Sequence, residues 1–323
     1  MVGIFRKNDV INFFLLLPYT ILLRLHSLLN PQAYQVLEQD TTITKWLFSH
    51  LELPILQSVL GVILVFIQAL VINVLANRYR IHKHPTALAG MVYIILVSCL
   101  PSFQILTPAL IGSTFLLVAT FNIFSTYKLS DAVIKISNAA ISCATASIIY
   151  PPFAFSVFPL FLGLTMLRNF KMRERFQFLF GLLTVFWIIG SLLFFLNVLS
   201  WDILKALAFP GSFLNIWAIH STSLWSLSVF ILLILLALVN YYNYKKKKVI
   251  EIRKKIDFFY WLLFVAIFPL ALFTDLTTQH FMFTTLSLSI FLSMTILLIK
   301  NRTMAELIHL ITLSLIFYFQ FAG

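Results

Sequence analysis

Residues 54–76 read PILQSVLGVILVFIQALVINVLA, a run without a single charge, followed at once by Arg78, Arg80 and Lys83. A helix rises 1.5 Å per residue, so about 20 apolar residues cross a hydrocarbon layer roughly 30 Å thick. Inside that layer a helix satisfies its own backbone N–H and C=O groups without water. The stretch is therefore predicted to be a spanning helix, and the basic residues after it to be its anchor in one leaflet.

The same reading repeats along the chain. Apolar windows fall at 10–29, 54–76, 87–104, 107–126, 132–149, 152–167, 177–199, 223–243, 257–274, 281–299 and 305–321. Pro101, Pro108, Pro151 and Pro152 interrupt two pairs of them, where helices are expected to end or kink. The expected fold class is all-α: a polytopic transmembrane helix bundle of about 11 spans, forming one integral membrane domain over 1–323. Composition agrees, with 61% hydrophobic and 11% charged residues, against about 45–50% and about 25% in a soluble domain. The first window starts after Arg6 and Lys7 and leaves through Leu28-Leu29-Asn30-Pro31-Gln32, which has no small-x-small cleavage pattern. It is read as a retained helix.

Charge placement tests the count. Of the 23 Lys and Arg residues, all but Arg24, Lys45 and Lys205 fall on one side if the N-terminus is cytoplasmic and the C-terminus periplasmic. Adding or removing one span would destroy that bias. The net charge of +12 thus reads as an orientation signal rather than a nucleic-acid surface. Cys99 and Cys143 lie inside apolar runs and indicate neither a disulfide nor a zinc site.

Two predicted periplasmic segments, 30–53 and 200–222, are longer than the other loops. Ile43, Trp46, Leu47, His50 and Leu51 in the first, and Trp201, Leu204, Leu207, Ala208 and Trp217 in the second, suggest amphipathic helices lying in the interface. Residues 138–147 are almost all small and are expected inside the bundle, because close backbone approach drives helix association in lipid. Phe178, Phe180, Phe186, Phe258, Phe259 and Phe264 are expected to face lipid.

Polar groups in or near the bilayer are the functional candidates. Arg24 sits in the outer half of the first window and either snorkels, pairs with an acid or grips a lipid phosphate. Glu38, Asp40, Glu52, Asp202, His220, Asp275 and His280 fall in outer segments, where a carboxylate near a histidine can act as a base or simply be solvated. His82-Lys83-His84 has no third ligand nearby, so no metal and no cofactor is expected. Lys245, Lys246, Lys247, Lys248, Arg253, Lys254 and Lys255 form a topology anchor able to contact anionic lipid or a partner. Phosphate-loop, nucleophile-elbow and His-Glu-x-x-His motifs are missing, and no paired acids sit mid-span, which weakens a transporter reading.

Three stretches carry a resemblance: Met1–Phe14, the small-residue window leading to Tyr150-Pro151-Pro152, and Arg168-Asn169-Phe170-Lys171-Met172-Arg173-Glu174-Arg175. They resemble a family of uncharacterised inner-membrane proteins of the Bacteroidota, over most of the chain. The layout is also similar to GT-C-type glycosyltransferases that use polyprenyl-phosphate-linked sugars. That resemblance implies Asp40 or Glu38 as the catalytic acid, and Arg24, Lys45 and Lys205 as groups holding the lipid phosphate. The chain departs from the pattern in lacking a paired-acid motif and in having few outer basic residues.

Two functions follow as expectations. One is a non-catalytic inner-membrane subunit of a cell-envelope complex, such as protein export or secretion machinery, with the bilayer and other membrane proteins as partners. The alternative is a GT-C-like transferase with a polyprenyl lipid, working on the periplasmic face.

Overall fold

A computed structural model describes residues 2–6, 9–37, 40–195, 221–246, 248–272 and 278–321. All regular structure among them is helical. In order the helices are α1 Val2–Phe5, α2 Val10–Phe14, α3 Leu16–Leu23, α4 Leu25–Leu29, α5 Thr42–Ser49, α6 Pro54–Arg78, α7 Leu88–Ser98, α8 Pro108–Ser125 and α9 Val133–Ile149. There follow α10 Val157–Leu167, α11 Met172–Phe195, α12 Ser221–Val239, α13 Tyr241–Lys245, α14 Ile250–Val265, α15 Ile267–Leu272, α16 Met282–Leu298 and α17 Arg302–Phe321. Three 3-10 turns, Pro101–Gln104, Pro151–Ser156 and Thr278–Phe281, sit at helix junctions.

Each of the eleven apolar windows contains helix among the described residues. Among the described residues, five helical stretches are long and apolar enough to cross a membrane: Pro54–Arg78, Pro108–Ser125, Met172–Phe195, Thr278–Leu298 and Arg302–Phe321. Shorter apolar helices run Ile11–Leu23, Leu88–Ser98, Val133–Ile149 and Pro151–Leu167. This is a multi-pass membrane protein.

The first window is not one straight helix. It divides at Leu15 and again at Arg24. Pro18 has no N–H to give the carbonyl four residues earlier, which accounts for the first break. The second break falls at Arg24, whose side chain reaches across to the turn after α7.

Loop contacts sort into two ends. At the basic end the Ala87 N–H donates to the Phe5 carbonyl, and Arg6 donates to the Ile296 and Ile299 carbonyls at 2.9 and 3.2 Å. Lys248 donates to Ile81 and Arg168 to Thr126. At the far end Thr44 donates to Ile149, Thr278 to Ser102, and the rings of Tyr150 and His280 meet edge-on. The residues joined at the basic end are those the charge pattern assigns to one side.

α7 is buried on almost every face, and α16 nearly so. Helices that are apolar all round belong in the centre of a bundle. The small-residue helix α9 packs between α8 and α11, where a side chain on Gly181 would collide with Ala140. Half of the phenylalanine expectation is overturned. Phe180, Phe186 and Phe264 are exposed, but Phe178, Phe258 and Phe259 are fully buried. Phe258 and Phe259 each lie edge-on to Phe124, at 5.1 and 5.4 Å, so ring-edge packing between helices claims them before lipid does.

The loop helix in 30–53 is present as α5. Its Thr41 hydroxyl accepts from the Thr44 N–H, a cap that starts the helix. Its buried side is Thr44 and Phe48, so Trp46 and His50 of the expected apolar face point outward.

Candidate functional site

α7 ends at Ser98, and the chain turns through Pro101–Gln104 before α8 begins. A helix leaves its last four carbonyls without partners. Water cannot reach them here, so side chains must. The Arg24 guanidinium, wholly buried, donates from Nη2 to the Phe103 carbonyl at 2.6 Å and to Val97 at 3.3 Å, and from Nη1 to Gln104 at 3.3 Å. The Gln104 side chain donates to the Leu23 and Ser98 carbonyls, and Gln320 from α17 donates to the same two. One arginine and two glutamines thus supply the donors missing at two helix breaks. Gly61 makes room, since a Cβ there would stand 3.1 Å from the guanidinium.

The turn that this plug holds contributes to a cleft of about 660 Å³ at the far end. Ser102 and Ile105, on either side of the carbonyls that Arg24 grips, line the cleft. Gln32, Tyr34 and Gln35 come from the segment before α5, and Gln279 from the turn before α16. The lining presents amides, hydroxyls and a phenol.

Asp40 does not line the cleft but bonds two residues that do. Its carboxylate accepts from the Leu37 N–H at 2.8 Å and from the Tyr34 hydroxyl at 3.1 and 3.3 Å. It thereby closes the loop that carries Tyr34 and Leu37 into the cleft. Burial raises its pKa, partly offset by those hydrogen bonds and by Lys45. Burial likewise raises the Tyr34 phenol. The Tyr34 ring packs against Phe48 of α5 at 4.7 Å, and its N–H donates to Gln57 of α6. These contacts fix the cleft's rim to the bundle.

Arg24 is committed to carbonyls, and Lys45 is exposed on α5. Glu38, Lys205, Asp202, His220, Asp275 and Lys247 lie outside the described residues. In the basic run, Lys245 pairs with Asp257 at 2.8 Å and Lys248 caps Ile81. Lys255 is turned inward, paired with Glu251 at 2.6 Å and stacked over Tyr79 and Tyr127. Lys246 and Arg253 are the exposed members.

Sequence reasoning missed the amides. Gln68 of α6 donates to the Leu110 carbonyl and to the Ser113 and Thr114 hydroxyls, and accepts from Tyr93 at 2.7 Å. An uncharged amide inside an apolar run was the available signal, because it must find partners within the bundle.

No protein-family model, no curated protein and no solved structure matches this chain.

Proposed function

We propose that this protein is a non-catalytic inner-membrane subunit of a cell-envelope complex, of the kind that serves protein export or secretion. The observation that carries this reading is the direction of the Asp40 carboxylate. It is engaged by Tyr34 and Leu37 of its own loop, while the cleft in front offers amides and hydroxyls suited to binding. A catalytic base must reach the proton it removes, so a carboxylate shaping the loop serves recognition better than chemistry. The exposed apolar surfaces of α11 and α17 provide lipid-facing or partner-facing area.

The test is a pull-down of the tagged protein from its own membranes in mild detergent, with co-purifying chains identified by mass spectrometry. Stoichiometric envelope or export proteins support the subunit. A lone protein carrying a polyprenyl lipid favours the second reading, a GT-C-like transferase. That reading draws on the cleft, on the raised Asp40 pKa and on the proximity of Lys45. Under it, Asp40→Asn abolishes function in a protein that still folds; under the subunit reading the variant retains function.

A further inference from the structure

The start of α11 carries positive charge that its surroundings leave unbalanced. Arg168, Lys171, Arg173 and Arg175 occur within eight residues, and Glu174 is the one acid among them. Glu174 is already taken. Arg168 clamps it with Nε at 2.8 Å and Nη2 at 2.7 Å, while its Nη1 donates to the Thr126 and Leu129 carbonyls.

Arg175 is the odd member. Its side chain is 5% exposed, and Nε, Nη1 and Nη2 all have no hydrogen-bond partner. Glu174 lies 3.8 Å from its Nη1, too far for a hydrogen bond, and the exposed Phe170 ring covers the guanidinium at 5.1 Å. A guanidinium keeps its charge and offers five donors in a planar fork. Burying one with no acceptor is costly. Its position in the first turn of a 24-residue helix adds to the cost, because the helix dipole there favours an anion and disfavours a cation.

Each of these features is relieved by the same ligand. A phosphate supplies several acceptor oxygens, matches the guanidinium fork and suits a helix N-terminus. We propose that the start of α11 is a phosphate-binding site, in which Phe170 swings aside as a lid and Arg175 grips the phosphate, with Lys171 and Arg173 at the rim. The phosphate belongs either to an acidic phospholipid headgroup or to a free anion. The exposed apolar face of α11 beyond it, with Phe180, Leu183 and Trp187, offers a bed for acyl chains. The site does not depend on the function proposed above.

The test uses the full chain in phosphatidylcholine nanodiscs, in phosphatidylcholine nanodiscs containing phosphatidylglycerol, and in phosphatidylcholine with millimolar inorganic phosphate. Native mass spectrometry counts retained lipid, and a thermal melt reads stabilisation. Phosphatidylglycerol is expected to raise the melting midpoint of the native chain, and Arg175→Gln to weaken its binding about fivefold. Lys300→Gln, which removes an exposed lysine also at the basic end, is expected to bind as the native chain does. Phe170→Ala, which uncovers the guanidinium but keeps it, is expected to bind at least as well. An increment produced by inorganic phosphate as well assigns the site to the free anion; one produced by phosphatidylglycerol alone assigns it to the headgroup. In phosphatidylcholine alone, Arg175→Gln is expected to be no less stable than the native chain, since it removes a buried guanidinium that makes no hydrogen bond. Native-like binding in Arg175→Gln, a loss in Phe170→Ala equal to that in Arg175→Gln, or a drop in the stability of Arg175→Gln in phosphatidylcholine would overturn the proposal.

Discussion

The Arg24 Nη2 atom donates to the Phe103 carbonyl at 2.6 Å, across 79 positions of chain, and this bond joins a break in the first apolar window to the turn that lines the cleft. It makes Arg24 a positioning residue for the cleft wall. Arg24→Leu removes donors from the buried carbonyls of Val97, Phe103 and Gln104 and is expected to cost about 3 kcal/mol. Arg24→Lys, which keeps charge but loses the fork, should fall between the two. Denaturation in mild detergent measures both, and a Leu variant as stable as the native chain would refute the plug.

Gly90 sets the contact between α6 and α7. A methyl group there would run into the Asn73 amide and stand 2.6 Å from the Ala69 carbonyl. Gly90→Ala is expected to destabilise by about 1–3 kcal/mol. Gly190, where a methyl group would meet nothing within 4 Å, is the control. Gly190→Ala should be neutral or stabilising by up to about 1 kcal/mol through helix propensity. Melting the two variants side by side distinguishes close packing from loss of glycine as such.

His82 bonds Ser293 and Thr86 inside the basic end, and burial, helped by Lys248, lowers its pKa to about 4. A base whose folded pKa is depressed contributes stability above its ordinary pKa of about 6.5, and loses it as pH falls toward the folded value. The bundle should weaken between pH 6.5 and 4 by on the order of 3 kcal/mol, and His82→Asn should remove that dependence. Unchanged acid sensitivity in the variant would point to another group.

Asp40 has the opposite sign. Its folded pKa is raised, chiefly by burial, so its contribution is fully present below the ordinary aspartate value of 3.8 and declines as pH rises through the folded pKa. Asp40→Asn keeps an acceptor for the Leu37 N–H and should flatten this decline. Stability against pH for the two proteins, read just above the ordinary carboxylate range, gives the comparison. Parallel curves would mean that the carboxylate is better solvated than its contacts imply.

Much of the architecture was readable before any coordinates. Apolar run length marks helices wherever the backbone must satisfy itself in lipid, and each window contains helix among the described residues. Lys and Arg placement sorted the loops into two sets, and the contacts of Arg6, Arg168 and Lys248 gather one of those sets at a single end. Charge and length act locally, so a linear reading captures them.

The site was a different matter. That Arg24 faces three carbonyls rather than lipid, that Gln104 and Gln320 share the Leu23 and Ser98 carbonyls, and that Asp40 turns back onto Tyr34 all depend on which helix ends meet. Phenylalanine shows the same division, since Phe178 and Phe180 are alike in sequence yet only one is buried. An apolar side chain gains nearly as much from lipid as from a neighbouring helix, so hydrophobicity alone does not decide between them. What decides is packing and the need to pair every buried polar group, and both exist only once the helices are side by side.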